Sequence, residues 1–337
     1  MAEQKKLLEV KNLRTSFFTH VGEVKAVRDV SFHLDRGEIL GIVGESGSGK
    51  SVTCMSVMRL LQDPGRIIGG EVLYEGENLV KKTEKEMQKI RGEKISMVFQ
   101  DPMTAMNPVF TVGNQMVELI RQHRKMSKQE AHDLAVKMLG LVGIPSPEER
   151  MKNYPHEFSG GMRQRAMIAM ALSCDPDLLI ADEPTTALDV TIQAQVLDLM
   201  KELQQKTGTA IILITHDLGV IAETCRRVIV MYGGMILESG TVEEIFHRPA
   251  NPYTLGLLGS VPNPEKSRER LEPIPGSPPD LIRPPKGCPF CYRCRYAMNK
   301  CVEEVPPLFE LSETHQSRCW LLHPDAPKVG AFEREGR

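Results

Sequence analysis

The first part of the chain alternates short apolar runs with polar turns. The apolar runs lie at residues 7–10, 24–27 and 30–34. Runs of this length, separated by turn residues, are typical of antiparallel strands. The same pattern predicts a further hairpin within residues 69–80. We therefore expect an antiparallel β subdomain before and around the first buried strand.

A second kind of apolar run has no polar alternation. Such runs occupy residues 39–43, 95–99, 178–181 and 210–214. Because both faces of these strands are apolar, they fit a parallel sheet that is covered on both sides. Helical spacing follows the first run at 51–61 and the third at 191–206. Strands that alternate with helices in this way indicate an α/β fold.

Residues 101–172 change to a helical pattern. A helix is predicted over 112–123, and Ser127 with Glu130 forms a capping box that begins another. The apolar positions after Ser127 share one helix face, and Gly143 is the predicted stop. We interpret this stretch as a helical insert within the α/β domain.

Proline and cysteine are distributed unevenly. Fifteen of the 23 prolines lie from Pro249 onward, and five of the eight cysteines lie between Cys288 and Cys319. This shift predicts two parts, a domain over residues 1–250 and a Pro-rich, Cys-rich extension over 251–337.

Charge and hydropathy limit the partners. The net charge of −2 gives no electrostatic reason to expect nucleic-acid binding. No apolar run approaches the length of a membrane span, and the first residues lack the apolar stretch of a signal peptide. We expect a cytoplasmic chain whose membrane association, if any, depends on a partner.

Residues 44–51, Gly-Glu-Ser-Gly-Ser-Gly-Lys-Ser, match the phosphate-binding pattern G-x-x-x-x-G-K-[S/T]. The match lies between a predicted strand and a predicted helix, which is the context the pattern requires. Glycines allow backbone N–H groups to approach phosphate oxygens, and the helix start favours an anion. Lys50 would reach the terminal phosphates and Ser51 would hold Mg²⁺. The alternative is an ordinary Gly/Ser turn.

Polar residues follow three of the buried strands. Gln100 follows the second, Asp182 and Glu183 end the third, and His216 follows the fourth. Mg²⁺ on Asp182 would supply the positive charge that a pair of carboxylates needs there, and Glu183 could act as general base. His216 could hydrogen-bond a phosphate or water. The alternatives are a solvated acidic turn and a structural histidine.

Two further positions could contact a nucleotide. Ser159 is a natural N-cap before Gly160 and Gly161, so a second glycine-rich helix start could bind an anion; a plain turn is the alternative. Phe17 could stack on a base, or it could be a buried aromatic residue.

The order of these segments resembles that of ABC-transporter ATPases. The segments that resemble the Walker A, Q-loop, signature, Walker B, D-loop and H-loop motifs are residues 44–51, Gln100, 159–164, 178–183, Asp189 and His216. The likeness covers residues 5–250. The signature departs mildly, with Phe158 where leucine is usual and Met162 where glutamine is usual.

The resemblance implies an α/β P-loop NTPase fold of the ABC ATPase type, with an antiparallel β subdomain and a helical subdomain at about 101–172. It implies that Glu183, His216 and Gln100 are catalytic and that Ser51, Gln100 and Asp182 hold Mg²⁺. It further implies nucleotide contacts, with Phe17 on adenine. These contacts are Phe17, Gly44, Ser46, Gly47, Ser48, Gly49, Lys50, Ser51, Val52, Gln100, Asp182, Ser159, Gly160, Gly161 and Asp189.

Residues 99–108 and 251–258, with tail segments around 275–279 and 287–294, are similar to those of oligopeptide and dipeptide importers. The resemblance implies a first (D-type) ATPase subunit that couples ATP hydrolysis to import. Expected partners are a homologous second ATPase, two membrane permeases and, indirectly, an extracellular binding protein. A homodimer is possible in isolation. ATPase subunits of this family do not contact the transported substrate, so import of dipeptides, oligopeptides, nickel chelates and glutathione all stay open.

The tail cysteines follow the spacing C-x2-C-x2-C-x6-C-x17-C. In a reducing compartment such clustering favours a metal over disulfides, and thiolates suit zinc or an iron–sulfur cluster. The peptide-importer pattern has cysteines that match Cys288, Cys294, Cys301 and Cys319, whereas Cys291 is an extra thiol. We expect a structural [4Fe–4S] cluster on those four, with zinc as the alternative.

The sequence argues against two other function classes. A DNA-repair or translation ATPase of the same superfamily would carry a coiled-coil insertion or a second cassette, and this chain has neither pattern. A metal-binding regulatory protein would not need the complete set of hydrolytic motifs.

Overall fold

The computed structural model describes residues 6–100, 105–185, 190–260 and 273–329. Contacts divide the chain into two compact units. One comprises the described parts of Met1–Leu8, Leu34–Ile39 and Lys81–Ile214. The other comprises the described parts of Glu9–His33, Leu40–Val80 and Thr215–Arg337.

The strands, in chain order, are β1 (Lys6–Thr19), β2 (Gly22–Asp35), β3 (Ile39–Val43), β4 (Gly65–Tyr74), β5 (Glu77–Asn78), β6 (Ile95–Val98), β7 (Leu178–Asp182), β8 (Ala210–Ile214), β9 (Arg227–Tyr232), β10 (Met235–Thr241), β11 (Phe309–Glu310) and β12 (Gln316–Ser317). The α-helices are α1 (Lys50–Met58), α2 (Glu84–Ile90), α3 (Val112–His123), α4 (Lys128–Leu141), α5 (Pro147–Arg150), α6 (Gly160–Leu172), α7 (Val190–Thr207), α8 (Leu218–Thr224), α9 (Val242–His247), α10 (Pro252–Gly259) and α11 (Asn299–Glu303).

The first unit contains the parallel strands β6, β7 and β8. Ile95 pairs with Leu178, and Leu178 pairs with Ala210, so the three strands run in register. Every residue of β7 and β8 is buried. The expectation of parallel strands covered on both faces is confirmed, and the carboxyl ends of these strands meet at one edge.

The helical insert of this unit consists of α3 to α6. Ser127 accepts a hydrogen bond from the Glu130 amide at 3.2 Å, while the Glu130 carboxylate accepts from the Ser127 amide at 2.7 Å. Helix α4 buries Ala131, Ala135 and Leu139, and the chain turns at Gly143 with φ 69. The predicted capping box and stop are confirmed.

The second unit contains an antiparallel sheet of order β2-β1-β4-β5. The sequence predicts several short strands before residue 35, whereas the structure has two strands of 14 residues each. The reason is that small polar residues are buried within β1. Thr15 pairs with Ser56 at 2.8 Å and Ser16 donates to Glu23 at 2.7 Å, so a polar stretch continues the strand.

Strand β3 of the same unit pairs in parallel with β9, and β9 turns into the antiparallel β10 at Gly233 and Gly234. Both glycines have positive φ, 55 and 79, a conformation that a tight hairpin turn requires. The cysteine-rich tail adds to the edge of this sheet because β12 pairs with β10, with Ser317 opposite Glu238. The division at residue 250 stays a prediction.

Within the described ranges, no helix combines the length and the apolarity needed to cross a membrane.

Candidate functional site

The loop at residues 44–51 joins β3 to α1, as the motif predicts. Gly44 has φ 150, and a Cβ there would lie 2.1 Å from the Met231 carbonyl oxygen. Gly49 has φ 101, and its Cβ would lie 2.6 Å from the Ala26 carbonyl oxygen. Backbone packs against the loop at both positions, so only glycine permits this course.

The inner face of the loop offers hydrogen-bond donors. Helix α1 begins after Gly49, and no side chain caps its start; the partial positive charge of a helix start favours an anion. Ser48 is 3% exposed and its hydroxyl has no hydrogen-bond partner. Lys50 is buried and donates to the carbonyl oxygens of Gly44 at 2.8 Å and Glu45 at 3.1 Å. This arrangement fits an anion such as a phosphate group.

Gly44 and Glu45 share a groove of about 610 Å³ with His216. His216 follows β8 and is exposed, and the next residue, Asp217, caps α8 by accepting from the Gly219 amide at 2.8 Å. The structure therefore brings the predicted histidine to the same groove as the start of the loop. Ile274, from the tail, lines the groove as well.

In the first unit, the predicted residues at the strand ends are brought together. The Gln100 side-chain amide donates to the Glu183 carboxylate at 2.9 Å. The Glu183 amide donates to the Ile214 carbonyl at 3.0 Å, and Glu183 has φ 46, a conformation that non-glycine residues rarely adopt. Asp182, the last residue of β7, is 3% exposed. The carboxylate of Glu183 is thus held in a defined position next to an amide.

The signature segment starts α6. Ser159 accepts a hydrogen bond from the Met162 amide at 3.3 Å, which confirms its role as N-cap. A Cβ on Gly161 would lie 2.9 Å from the Ile192 side chain, whereas Gly160 has open space around it. Phe158, the departure from the family pattern, is buried at 2% exposure and acts as a core residue.

The remaining nucleotide candidates have the following surroundings. Phe17 is partly exposed, and its ring lies against Gly65, where a Cβ would come within 2.6 Å of it. Gly47 has φ 76 and nothing within 4 Å of its Cβ position, so the loop is open there. Asp189 lies outside the described residues.

The five tail cysteines line one small cavity. Burial and the neighbouring thiols raise the pKa of Cys288, and they raise that of Cys319 to about 12. Thiolates there would therefore need a cation to offset their charge. Among the described residues, no group of three or more His, Cys, Asp or Glu side chains is spaced to hold a metal ion. Cysteine thiolates are suitable ligands for zinc or an iron–sulfur cluster. The sulfur atoms of the described residues, however, are not spaced as ligands of a bound metal ion.

Sequence reasoning missed a contact between the tail and the loop. Arg293 donates to the Glu45 carboxylate through Nη1 at 2.5 Å and Nη2 at 3.0 Å. The available signals were an acidic residue inside an otherwise small-residue loop and an arginine between two cysteines. Neither signal predicts which residue it contacts, because 248 positions separate Glu45 from Arg293.

Family models match two parts of the chain, and curated proteins match most of its length. Residues 27–186 match the family described as "ABC transporter", and residues 237–301 match "Oligopeptide/dipeptide transporter, C-terminal region". The oligopeptide transport ATP-binding protein OppD of Bacillus subtilis (strain 168) is 60% identical over 96% of this chain and 91% of its own length. The dipeptide transport ATP-binding protein DppD of Lactococcus lactis subsp. cremoris (strain MG1363) is 54% identical over 98% of this chain and 94% of its own.

A solved dimeric ATP-binding cassette, in a post-hydrolysis state bound to ADP and Pi, superposes with a TM-score of 0.64 at 26% identity. The superposition covers 70% of this chain and 98% of that one. The predicted ABC ATPase fold is thereby confirmed. With motifs, fold and relatives in agreement, the chain belongs to the ATP-binding subunits of the oligopeptide/dipeptide family of ABC transporters.

Proposed function

We propose that this ATPase binds the phosphates of ATP in the loop at residues 44–51 and uses their hydrolysis to drive the import of peptides. The observation that carries the proposal is the buried, unpartnered Ser48 hydroxyl beside an uncapped helix start. A phosphate oxygen would accept a hydrogen bond from this hydroxyl, and the positive end of the helix favours an anion. Lys50 would exchange its contacts with loop carbonyls for the terminal phosphates, Ser46, Gly47 and Val52 would contact the phosphates, and Phe17 would stack on adenine.

The hydrolytic step is assigned to the residues at the strand ends. Ser51, Asp182 and Gln100 would hold Mg²⁺, which supplies positive charge to the phosphate oxygens. Glu183 would accept the proton of the attacking water, with Gln100 orienting its carboxylate by the hydrogen bond at 2.9 Å. His216 would hydrogen-bond the terminal phosphate or the water, which its position on the groove beside Gly44 supports.

The signature residues are assigned to a partner's nucleotide. Ser159, Gly160, Gly161 and Asp189 would contact the ATP bound in the loop of a second ATPase, since two such domains pack head to tail in this family. We propose a heterodimer with a homologous ATPase and attachment to two permeases, so that the chain is peripheral to the membrane. An extracellular binding protein would act indirectly. Dimeric cassettes among the solved neighbours support the pairing.

The Lys50→Ala variant tests the nucleotide site. A fluorescent ATP analogue should bind it at least about tenfold more weakly, because a charge-assisted contact to phosphate is lost. Lys125→Ala, a lysine of the helical insert, is the matched control and should bind normally. Unchanged affinity in Lys50→Ala would contradict the assignment. Co-purification with integral-membrane subunits tests the transport role, and retention of nucleic acid instead would oppose it.

For the tail, the proposal is a structural [4Fe–4S] cluster on Cys288, Cys294, Cys301 and Cys319, with zinc as the alternative. Support comes from four thiols that share a cavity and from raised pKa values that a bound cation would offset. A cluster bound there would supply cross-linking and charge neutralisation, not transport chemistry. Anaerobic purification followed by visible absorbance and iron analysis is the test. Colourless protein with one zinc ion would support the alternative, and protein without metal would overturn both.

A further inference from the structure

Arg293 lies in the segment from Cys288 to Cys294, called the cysteine segment below. It forms an ion pair with Glu45 of the phosphate-binding loop. Its two terminal nitrogens donate to the two carboxylate oxygens of Glu45 at 2.5 and 3.0 Å. A paired contact of this kind fixes both the distance and the angle between the groups. The Arg293 side chain is 7% exposed and that of Glu45 is 25% exposed, so water screens the pair weakly.

The remaining donors of Arg293 hold its guanidinium in place. Nη1 also donates to the Tyr232 hydroxyl at 3.0 Å, Nη2 to the Ile274 carbonyl at 3.2 Å and Nε to the Pro275 carbonyl at 2.7 Å. Burial alone would disfavour the charge, but the hydrogen bonds to Glu45 and Tyr232 outweigh it and raise the pKa of Arg293. The arginine is therefore a fixed, permanently charged contact.

An aromatic cluster of Tyr232, Tyr253 and Phe290 joins the same two regions. The ring centroids of Tyr232 and Tyr253 are 4.5 Å apart, and each lies within 5.3 Å of the Phe290 ring centroid. The Tyr253 hydroxyl accepts from the Glu45 amide at 2.9 Å. Phe290 lies between Cys288 and Cys291 in the chain, so this cluster links the cysteine segment to Glu45 by a second route.

Glu45 is thus held at its amide by Tyr253 and at its carboxylate by Arg293, while its carbonyl accepts from Lys50 at 3.1 Å. A loop anchored on both sides loses less conformational freedom when it binds phosphate. We propose that Arg293 is a positioning residue for the phosphate-binding loop, and that it makes ATP binding depend on whether the segment from Cys288 to Cys294 is folded around its thiols.

The inference rests on the proposed role of residues 44–51. Nucleotide affinities of different variants test the role of the loop and the role of Arg293 separately. Arg293→Gln should weaken binding of a fluorescent ATP analogue about tenfold, because it removes a charge-assisted pair. Turnover at saturating ATP should stay within about twofold, since no reacting group is lost. Arg295→Gln removes the same charge from an exposed position in the same segment and should leave affinity unchanged. If Arg293 were only a structural residue, Arg293→Gln would lower the melting temperature, and turnover would fall together with affinity.

Glu45→Gln provides a second variant that leaves the tail intact. It should weaken affinity to a similar extent, and the double variant with Arg293→Gln should be no weaker than either single variant. Additive losses would overturn the pairing. If Lys50→Ala binds normally, the loop assignment fails; if only Lys50→Ala weakens binding, the positioning role of Arg293 fails.

The dependence on the thiols has its own test. Cys294→Ser should weaken ATP binding in the wild-type background but have no further effect in Arg293→Gln, because the effect passes through the arginine. Cys174→Ser, which changes a buried cysteine outside the tail, is the control and should bind ATP normally in both backgrounds. If Cys294→Ser weakens ATP binding equally in the wild-type and Arg293→Gln backgrounds, the effect does not pass through Arg293 and the proposal fails.

Discussion

The side-chain amide of Gln100 donates a hydrogen bond of 2.9 Å to the carboxylate of Glu183, although 83 positions separate the two residues. Glu183 is held further by its backbone, which has φ 46 and donates to Ile214 of the neighbouring strand. A residue kept in a rarely populated conformation by its surroundings is a feature of functional sites. The contact makes Glu183 the first residue to test.

Glu183→Gln should retain ATP binding and lose turnover by about two orders of magnitude or more, because the general base is removed. The shape of the side chain and its contact with Gln100 are preserved, so the fold should be unaffected. Phosphate release and binding of a fluorescent ATP analogue measure the two effects. Glu223→Gln, an exposed position on α8, serves as the control; unchanged turnover in Glu183→Gln would remove that residue from the proposed role.

Ser48→Ala should have opposite effects on stability and binding. Its buried hydroxyl has no partner, so removing it should stabilise the free protein by up to about 1 kcal/mol. ATP affinity should fall, because a donor to phosphate is lost. Ser173 is also buried but donates to the Met170 carbonyl at 2.7 Å, so Ser173→Ala should destabilise the protein and leave affinity alone. Melting temperatures with and without ATP distinguish the two variants.

Ser159→Ala and Ser127→Ala remove equivalent N-caps from α6 and α4. Each should lower the free energy of unfolding by about 1 kcal/mol. Only Ser159→Ala should reduce ATP turnover in the assembled transporter, because only that helix start is proposed to contact a partner's nucleotide. Equal turnover in the two variants would show that Ser159 is a structural cap alone.

Glu244 gives a prediction for pH. Burial opposes its ionisation, but hydrogen bonds from Ser312, Thr314 and Thr241 outweigh this and lower the pKa of Glu244 to about 2. A lowered pKa in the folded state stabilises the protein above the pKa of the unfolded chain, and the gain is lost as pH falls towards 2. The difference in unfolding free energy between wild type and Glu244→Gln, at most about 3 kcal/mol at pH 7, should therefore shrink steadily below pH about 4.5.

Urea unfolding at pH 7 and at successively lower pH measures this difference. Glu243→Gln changes the exposed neighbour on the same helix and should show little effect at any pH. A difference between wild type and Glu244→Gln that does not vary with pH would indicate that shape, not charge, sets the contribution of this residue.

Elements and motifs whose signals are local could be predicted from the chain alone. The phosphate-binding loop was predictable because its glycines, lysine and serine lie within eight residues between a strand and a helix. The buried strands β7 and β8 and the capped helix α4 were predictable for the same reason, since apolar runs and capping pairs are short-range patterns.

Contacts between polar residues that lie far apart in the sequence are visible only in the folded chain. Thr15 pairs with Ser56 and Ser16 with Glu23, and Glu45 forms an ion pair with the largely buried Arg293. A contact of this kind needs only two single side chains, at any separation along the chain. It therefore produces no periodic pattern in the sequence. The sequence therefore predicts that the loop binds phosphate, whereas the contact between the loop and the cysteine segment is seen only in the folded structure.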